Sequence, residues 1–292
     1  MTEHTVRIGG RHVAVHECGA PDGDPLIHFH GTPGSRLEMA FGAAVAERAG
    51  VRVIGFDRPG YGRSDAGPIS LAGVARDVET IADHLGIDRF MVSGWSGGGA
   101  FALATAAALP RRVVRVGVSG GLAPFDRMPG ARDALTPNDL EALTHLPGDP
   151  ERAAQVFLSG NSATLDAMVS VCDDESAPWV DWMFAGSDAT VIADRDARRA
   201  LFVNFNEALR QGAHAIARDN VAFVGPWGFR VEDIAAPVLL WYGDGDEMAP
   251  PSHGRWLAAH LAVAHLTIYE GEGHLLPLVH WDRMLEELTA HA

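Results

Sequence analysis

Between an apolar run at residues 90–92 and an Ala-rich helical stretch at residues 98–109, the chain reads Gly94-Trp95-Ser96-Gly97-Gly98. A strand signal before the serine, a helix signal after it and glycine two residues to either side demand a sharp strand-to-helix turn, because side chains at the flanking positions would collide there. This constrains the chain to an α/β architecture. The same turn lifts the Ser96 hydroxyl above the sheet and aims the Gly97 N–H at charge developing on a substrate oxygen.

The surrounding sequence agrees. Residues 11–17, 26–30, 51–56 and 113–118 carry strand signals. Residues 35–50 have helical periodicity that stops at Gly50, and residues 70–86 place Val74, Val78, Ile81 and Leu85 at helical spacing. Strands separated by helices imply a mostly parallel sheet with helices on both faces. The alternation breaks at Gly121 and resumes after Pro237, with strands at 238–242 and 266–269 and helices at 252–261 and 276–289. The chain of 292 residues is long enough for an α/β core at residues 1–121 and 226–292, interrupted by an all-helical cap at residues 122–225.

Two motifs compete with the first. Gly117-Val118-Ser119-Gly120-Gly121 repeats the pattern, but Pro124 and Pro129 follow in place of a helix, so it reads as an exit loop. Gly97-x-Gly99-x-x-Ala102 imitates a dinucleotide fingerprint, which needs an acidic residue about 20 positions further on for the ribose; residues 113–125 hold none.

A serine hydroxyl at its ordinary pKa is a poor nucleophile and needs a base within hydrogen-bond reach. Of fourteen histidines, His274 follows a strand in the loop Glu270-Gly271-Glu272-Gly273-His274, which puts it at the carboxyl edge of the sheet beside Ser96. His280 falls within the last helix, and His260, His265 and His291 read as surface or packing residues. The acid that orients the base is read as Asp246, in Gly243-Asp244-Gly245-Asp246-Glu247. Asp244 comes too early, while Glu247 and Asp126 remain as alternatives. The oxyanion donors are read as the Gly97 N–H and the Thr32 N–H of His30-Gly31-Thr32-Pro33-Gly34-Ser35. His28 and His30 share a strand face, but no third ligand follows at suitable spacing, so both read as structural and no metal site is expected.

All 23 basic residues are arginine. Without lysine, Schiff-base chemistry and a Walker A phosphate loop are excluded. The formal net charge of −15 should repel nucleic acid and anionic membranes, so the expected partner is a small-molecule substrate, with no nucleic acid and no membrane; a homodimer is left open. No apolar run approaches the roughly 18 residues of a membrane span, and the polar N-terminus lacks a secretory apolar stretch. A cytoplasmic location is expected, with Cys18 and Cys172 as buried or incidental thiols. No cofactor is expected.

Together these pieces resemble the capped α/β-hydrolase superfamily over nearly the whole chain. The resemblance rests on the 30–35 loop, Phe56-Asp57-Arg58-Pro59-Gly60-Tyr61-Gly62-Arg63-Ser64, the Ser96 turn, Gly243-x-x-Asp246 and Gly273-His274. It implies that the 57–64 run supports the site structurally and does no chemistry. Dehalogenases and epoxide hydrolases of that superfamily carry Asp as nucleophile, which Ser96 argues against. Proline iminopeptidases typically have Gly-Gly in the oxyanion loop and Trp after the serine; Thr32 and Trp95 depart from both. The expected function is a serine hydrolase that cleaves a small, largely apolar ester or lactone through an acyl-enzyme. Other readings are an amide or peptide hydrolase of the proline iminopeptidase type, a lyase or cofactor-free oxygenase using His274 as base, and a slow-turnover ligand-binding protein. The cap is expected to cover the site, with Trp95, Trp179, Trp182 and Phe184 meeting the substrate. Trp179, Trp182 and Phe184 have the alternative of packing the cap onto the core. Asp173, Asp174 and Glu175 read as a solvated face.

Overall fold

In the computed structural model, which describes residues 1–290, eight strands form one sheet. They are β1 Thr2–Ile8, β2 Arg11–Gly19, β3 Asp24–Phe29, β4 Val51–Phe56, β5 Phe90–Trp95, β6 Val113–Ser119, β7 Val238–Gly243 and β8 Ala264–Tyr269. Their spatial order is β1-β2-β4-β3-β5-β6-β7-β8. β1 and β2 are antiparallel to each other, as are β2 and β4, and the remaining neighbours are parallel. The first strand escapes the sequence reading because its residues are polar and exposed along most of their length. Gly9 and Gly10, both at positive φ, close it onto β2 as a two-residue hairpin. His291 lies outside the described residues.

The helices are α1 Ala43–Arg48, α2 Leu71–His84, α3 Gly98–Ala108, α4 Pro137–Leu143, α5 Pro150–Gly160, α6 Ser162–Ser170, α7 Pro178–Met183, α8 Ala189–Ala193, α9 Arg195–Ala208, α10 His214–Val224, α11 Pro251–His260 and α12 Leu276–Thr289. The helix expected over residues 35–50 shrinks to α1 and a preceding single turn. Residues 36–39 form turns instead. Asp57 holds the Arg36 amide at 2.7 Å, and a Cβ at Gly55 would lie 2.3 Å from the Arg36 carbonyl, so tertiary contacts override the local periodicity.

α2 starts at Ser70, whose hydroxyl accepts from the Gly73 amide, and buries Leu71, Val74, Val78 and Ile81. α3 lies between α2 and the sheet, and every residue from Gly98 to Ala106 is buried. Its small residues allow that approach: a Cβ at Gly94 would lie 2.4 Å from the Gly98 carbonyl oxygen, and one at Gly98 2.1 Å from that of Phe29. One large cluster packs α2, α3 and one sheet face and continues into Trp179, Phe184 and Phe205. A second, with Trp241, Trp281 and Met284, covers the other face.

Between β6 and β7 the regular elements are all helical, from α4 to α10 with short single turns between, and residues 122–225 contain no strand. The chain leaves β3 for β4 on one side, then crosses to β5 on the other, so the strand order reverses at β3 and β5. A crevice therefore opens beyond their carboxyl ends, where open α/β sheets bind ligands. The loops beginning at His30 and Ser96 both rise there. No helix among the described residues is long and apolar enough to cross a membrane.

Candidate active site

Ser96 follows β5 directly and has φ 55°, a left-handed conformation that costs a non-glycine residue on the order of 1–3 kcal/mol. The turn is held from both sides. The Ser96 amide donates to the Ser119 carbonyl at 2.8 Å, and the Gly99 amide donates to the Ser96 carbonyl at 2.9 Å. Ser119 thus supports the turn through its backbone, and its own hydroxyl is buried without a partner.

His274 stands between β8 and α12, and its Nδ1 lies 2.7 Å from Oδ2 of Asp246, in the turn after β7. The other Asp246 oxygen accepts from the Met248 and Ala249 amides, both at 2.9 Å. Burial pushes this carboxyl up. The His274 hydrogen bond and charge, with the two amides, outweigh burial and hold it below its ordinary value, so it is an anion at neutral pH. The imidazole is thereby oriented with its Nδ1 toward the carboxylate, and its Nε2 has no partner among the described residues. Asp244 instead accepts from the Gly271 amide, and Glu247 and Asp126 are exposed. His280 pairs with Glu272.

The 30–35 loop is fixed by buried charge. Arg58 donates to the carbonyls of His30 at 2.6 Å and Gly31 at 2.9 Å. Glu38 accepts the Gly31 amide at 2.9 Å and lies 2.8 Å from Nε2 of His28. Burial, then the Arg58 charge, holds His30 well below its ordinary pKa. The neutral ring matches its bonds: Nδ1–H donates to the Gly31 carbonyl and Nε2 accepts from the Arg58 amide. These bonds occupy the Gly31 N–H, whereas the Thr32 and Gly97 amides have no acceptor among the described residues. Thr32 and Gly97 are adjacent, since a Cβ at Gly97 would lie 2.7 Å from Oγ1 of Thr32.

Ser96, His274, Thr32 and Glu38 line one small cavity of about 50 Å³. Its apolar wall comes from Trp95 and Met248 of the core and from Met183, Phe184 and Phe205 of residues 122–225. Two expected substrate contacts need correction. Trp179 is buried behind the wall, stacked on Phe205 at 4.3 Å, and Trp182 is half exposed; neither lines the cavity. The aromatic content of the α7 segment suggests a pocket lining, but Trp179 packs on Phe205 of α9, and of that segment Met183 and Phe184 reach the cavity. Asp173, Asp174 and Glu175 are exposed. A larger hollow of about 330 Å³ lies among Asp24, Arg89 and Arg115, at the amino ends of the strands and away from Ser96.

A family model for the alpha/beta hydrolase fold matches residues 24–280. The chain belongs to the α/β-hydrolase family. Among this hydrolase's relatives, a 2-hydroxy-6-oxononadienedioate/2-hydroxy-6-oxononatrienedioate hydrolase of Klebsiella pneumoniae is 28% identical, over 94% of this chain and 89% of its own. One of Paraburkholderia xenovorans is 29% identical, over 99% and 96%. Among solved structures, a bromoperoxidase from Bacillus anthracis superimposes with a TM-score of 0.74 at 20% identity, covering 98% of each chain.

Three residues of this hydrolase that hold the site carry no local sequence motif. Glu38 was hidden in the expected helix. Asp219, on α10, takes hydrogen bonds from Arg58, from the Tyr61 hydroxyl at 2.9 Å and from the Thr32 hydroxyl at 2.8 Å. Asp188, in the helical turn before α8, accepts the amides of His274 and Leu275. Asp219 and Asp188 are distant in sequence from what they hold, so only the tertiary fold reveals them. The 57–64 run has a contact to account for it: Arg58 ties the 30–35 loop to α10.

Proposed function

We propose that this hydrolase cleaves a small, uncharged carboxylic ester or lactone through an acyl-enzyme on Ser96. Ser96 attacks the carbonyl carbon while Nε2 of His274 takes its proton, and the Gly97 and Thr32 N–H groups receive the oxyanion. His274 then protonates the leaving alkoxide and activates water for deacylation. The observation that carries this reading is the convergence of Ser96 and an Asp246-bonded His274 on one cavity, beside two amides with no acceptor among the described residues.

The cavity also bears on the substrate. Its only carboxylate belongs to Glu38, and no arginine lines it among the described residues. The relatives' names specify dioates, which carry two carboxylates, and such a substrate would enter this cavity facing the Glu38 carboxyl with no arginine beside it. The small cavity, about 50 Å³, favours a short acyl chain.

p-Nitrophenyl acetate is expected to surpass p-nitrophenyl hemisuccinate in kcat/KM by more than about tenfold, equivalent to about 1.4 kcal/mol. It should likewise surpass the octanoate ester. Equal or better turnover of the hemisuccinate would contradict the uncharged-substrate assignment.

A further inference from the structure

We infer that Asp188 is a positioning residue through which residues 122–225 set the register of the His274 loop. The inference rests on the reading of His274 as the catalytic base. Asp188 is 5% exposed and stands at the N-cap of α8, where an aspartate ordinarily accepts amides of its own helix. It makes no such bond. Its carboxylate turns instead to the loop after β8, with Oδ2 accepting the His274 amide at 2.9 Å and Oδ1 the Leu275 amide at 3.0 Å.

Two glycines make room for this contact. A Cβ at Gly273 would lie 2.5 Å from the Asp188 carboxyl carbon, and one at Gly245 would lie 2.1 Å from Oγ of Ser187. The turn Gly186–Asp188 is therefore seated against both the loop bearing the base and the turn bearing Asp246. His274 is fixed at three points: its amide by Asp188, its carbonyl by Trp95 Nε1 at 3.0 Å, and its ring by Asp246. The first point belongs to the helical insertion and the other two to the core. Displacement of the 186–188 turn would thus release the base at the moment it opens the wall formed by Met183 and Phe184, linking access to competence.

Asp188→Asn tests this. The amide keeps the shape, but its NH₂ faces one of the two N–H groups and loses that bond. Because misplacement of a catalytic group by about 1 Å can cost on the order of a hundredfold, kcat for p-nitrophenyl acetate should fall on the order of ten- to a hundredfold. KM should stay within about twofold, since the contact touches no substrate. The urea midpoint, read in parallel, should stay close to wild type. Gly273→Ala, which drives a methyl group into the same carboxylate, should reproduce the kcat loss. Unchanged kcat in both variants would overturn the inference, as would a rise in KM at constant kcat. Ser96→Ala, assayed alongside, separates the two levels. If Ser96→Ala is inactive while Asp188→Asn matches wild type, only the positioning role fails; if Ser96→Ala retains turnover, the reading beneath it fails as well.

Discussion

Ser96→Ala is expected to lower p-nitrophenyl acetate turnover by on the order of 10⁴- to 10⁶-fold, the range seen when the nucleophile of a serine triad is removed. His274→Ala should cost nearly as much, and the double variant should be no slower than either single one, because nucleophile and base act as a unit. The fold should survive. Ser96 makes its turn-supporting bonds through its backbone, to Ser119 and Gly99, and these do not depend on the side chain. Alanine retains the left-handed strain at φ 55°, whereas Ser96→Gly removes it and should raise stability by about 0.5–1 kcal/mol while abolishing activity. Initial rates and urea melts on the same preparations check both. A loss of less than about tenfold would remove Ser96 from the chemistry.

The second large effect concerns stability. Asp219→Ala is expected to lower the unfolding free energy by about 3–5 kcal/mol, as when one partner of a buried ion pair is removed. Arg58 and Asp219 are both 0% exposed, and the carboxylate also satisfies the hydroxyls of Tyr61 and Thr32. Alanine leaves a guanidinium buried without its counter-charge. Because Arg58 holds the carbonyls of His30 and Gly31, kcat should fall too, as the 30–35 loop beside Ser96 loosens. The double variant Arg58→Met/Asp219→Leu removes both charges and should recover part of the stability but not the activity. A urea-melt difference below about 1 kcal/mol for Asp219→Ala, the range of an exposed pair, would contradict a buried, structural pair.

The parts of this architecture legible in the sequence are those dictated locally. The Ser96 turn needs glycine at 94 and 98 for close approach, and the strand-helix alternation follows from burial on both sheet faces. His274 and Asp246 could be nominated because each stands just after a strand, and parallel strands bring such loops to one edge. What stayed hidden depends on contacts between distant segments. Glu38 lies in residues that read as helix until Asp57 and Gly55 capture Arg36. Asp188 and Asp219 come from the helical elements between β6 and β7, whose contacts with the 30–35 and 273–275 loops have no period or spacing to announce them. Trp179 and Trp182 were conspicuous in composition, yet of residues 122–225 it is Met183, Phe184 and Phe205 that line the cavity, facing Trp95 and Met248.

The most direct measurement is the site of acylation. The enzyme is quenched in acid after brief exposure to p-nitrophenyl acetate, digested and mapped by peptide mass spectrometry. The account predicts a single acetyl group on Ser96 in the peptide spanning the strand-to-helix turn, with p-nitrophenol released in step with its appearance. Acetyl on Ser119 or another residue, or steady release of p-nitrophenol with Ser96 unmodified throughout, would contradict it.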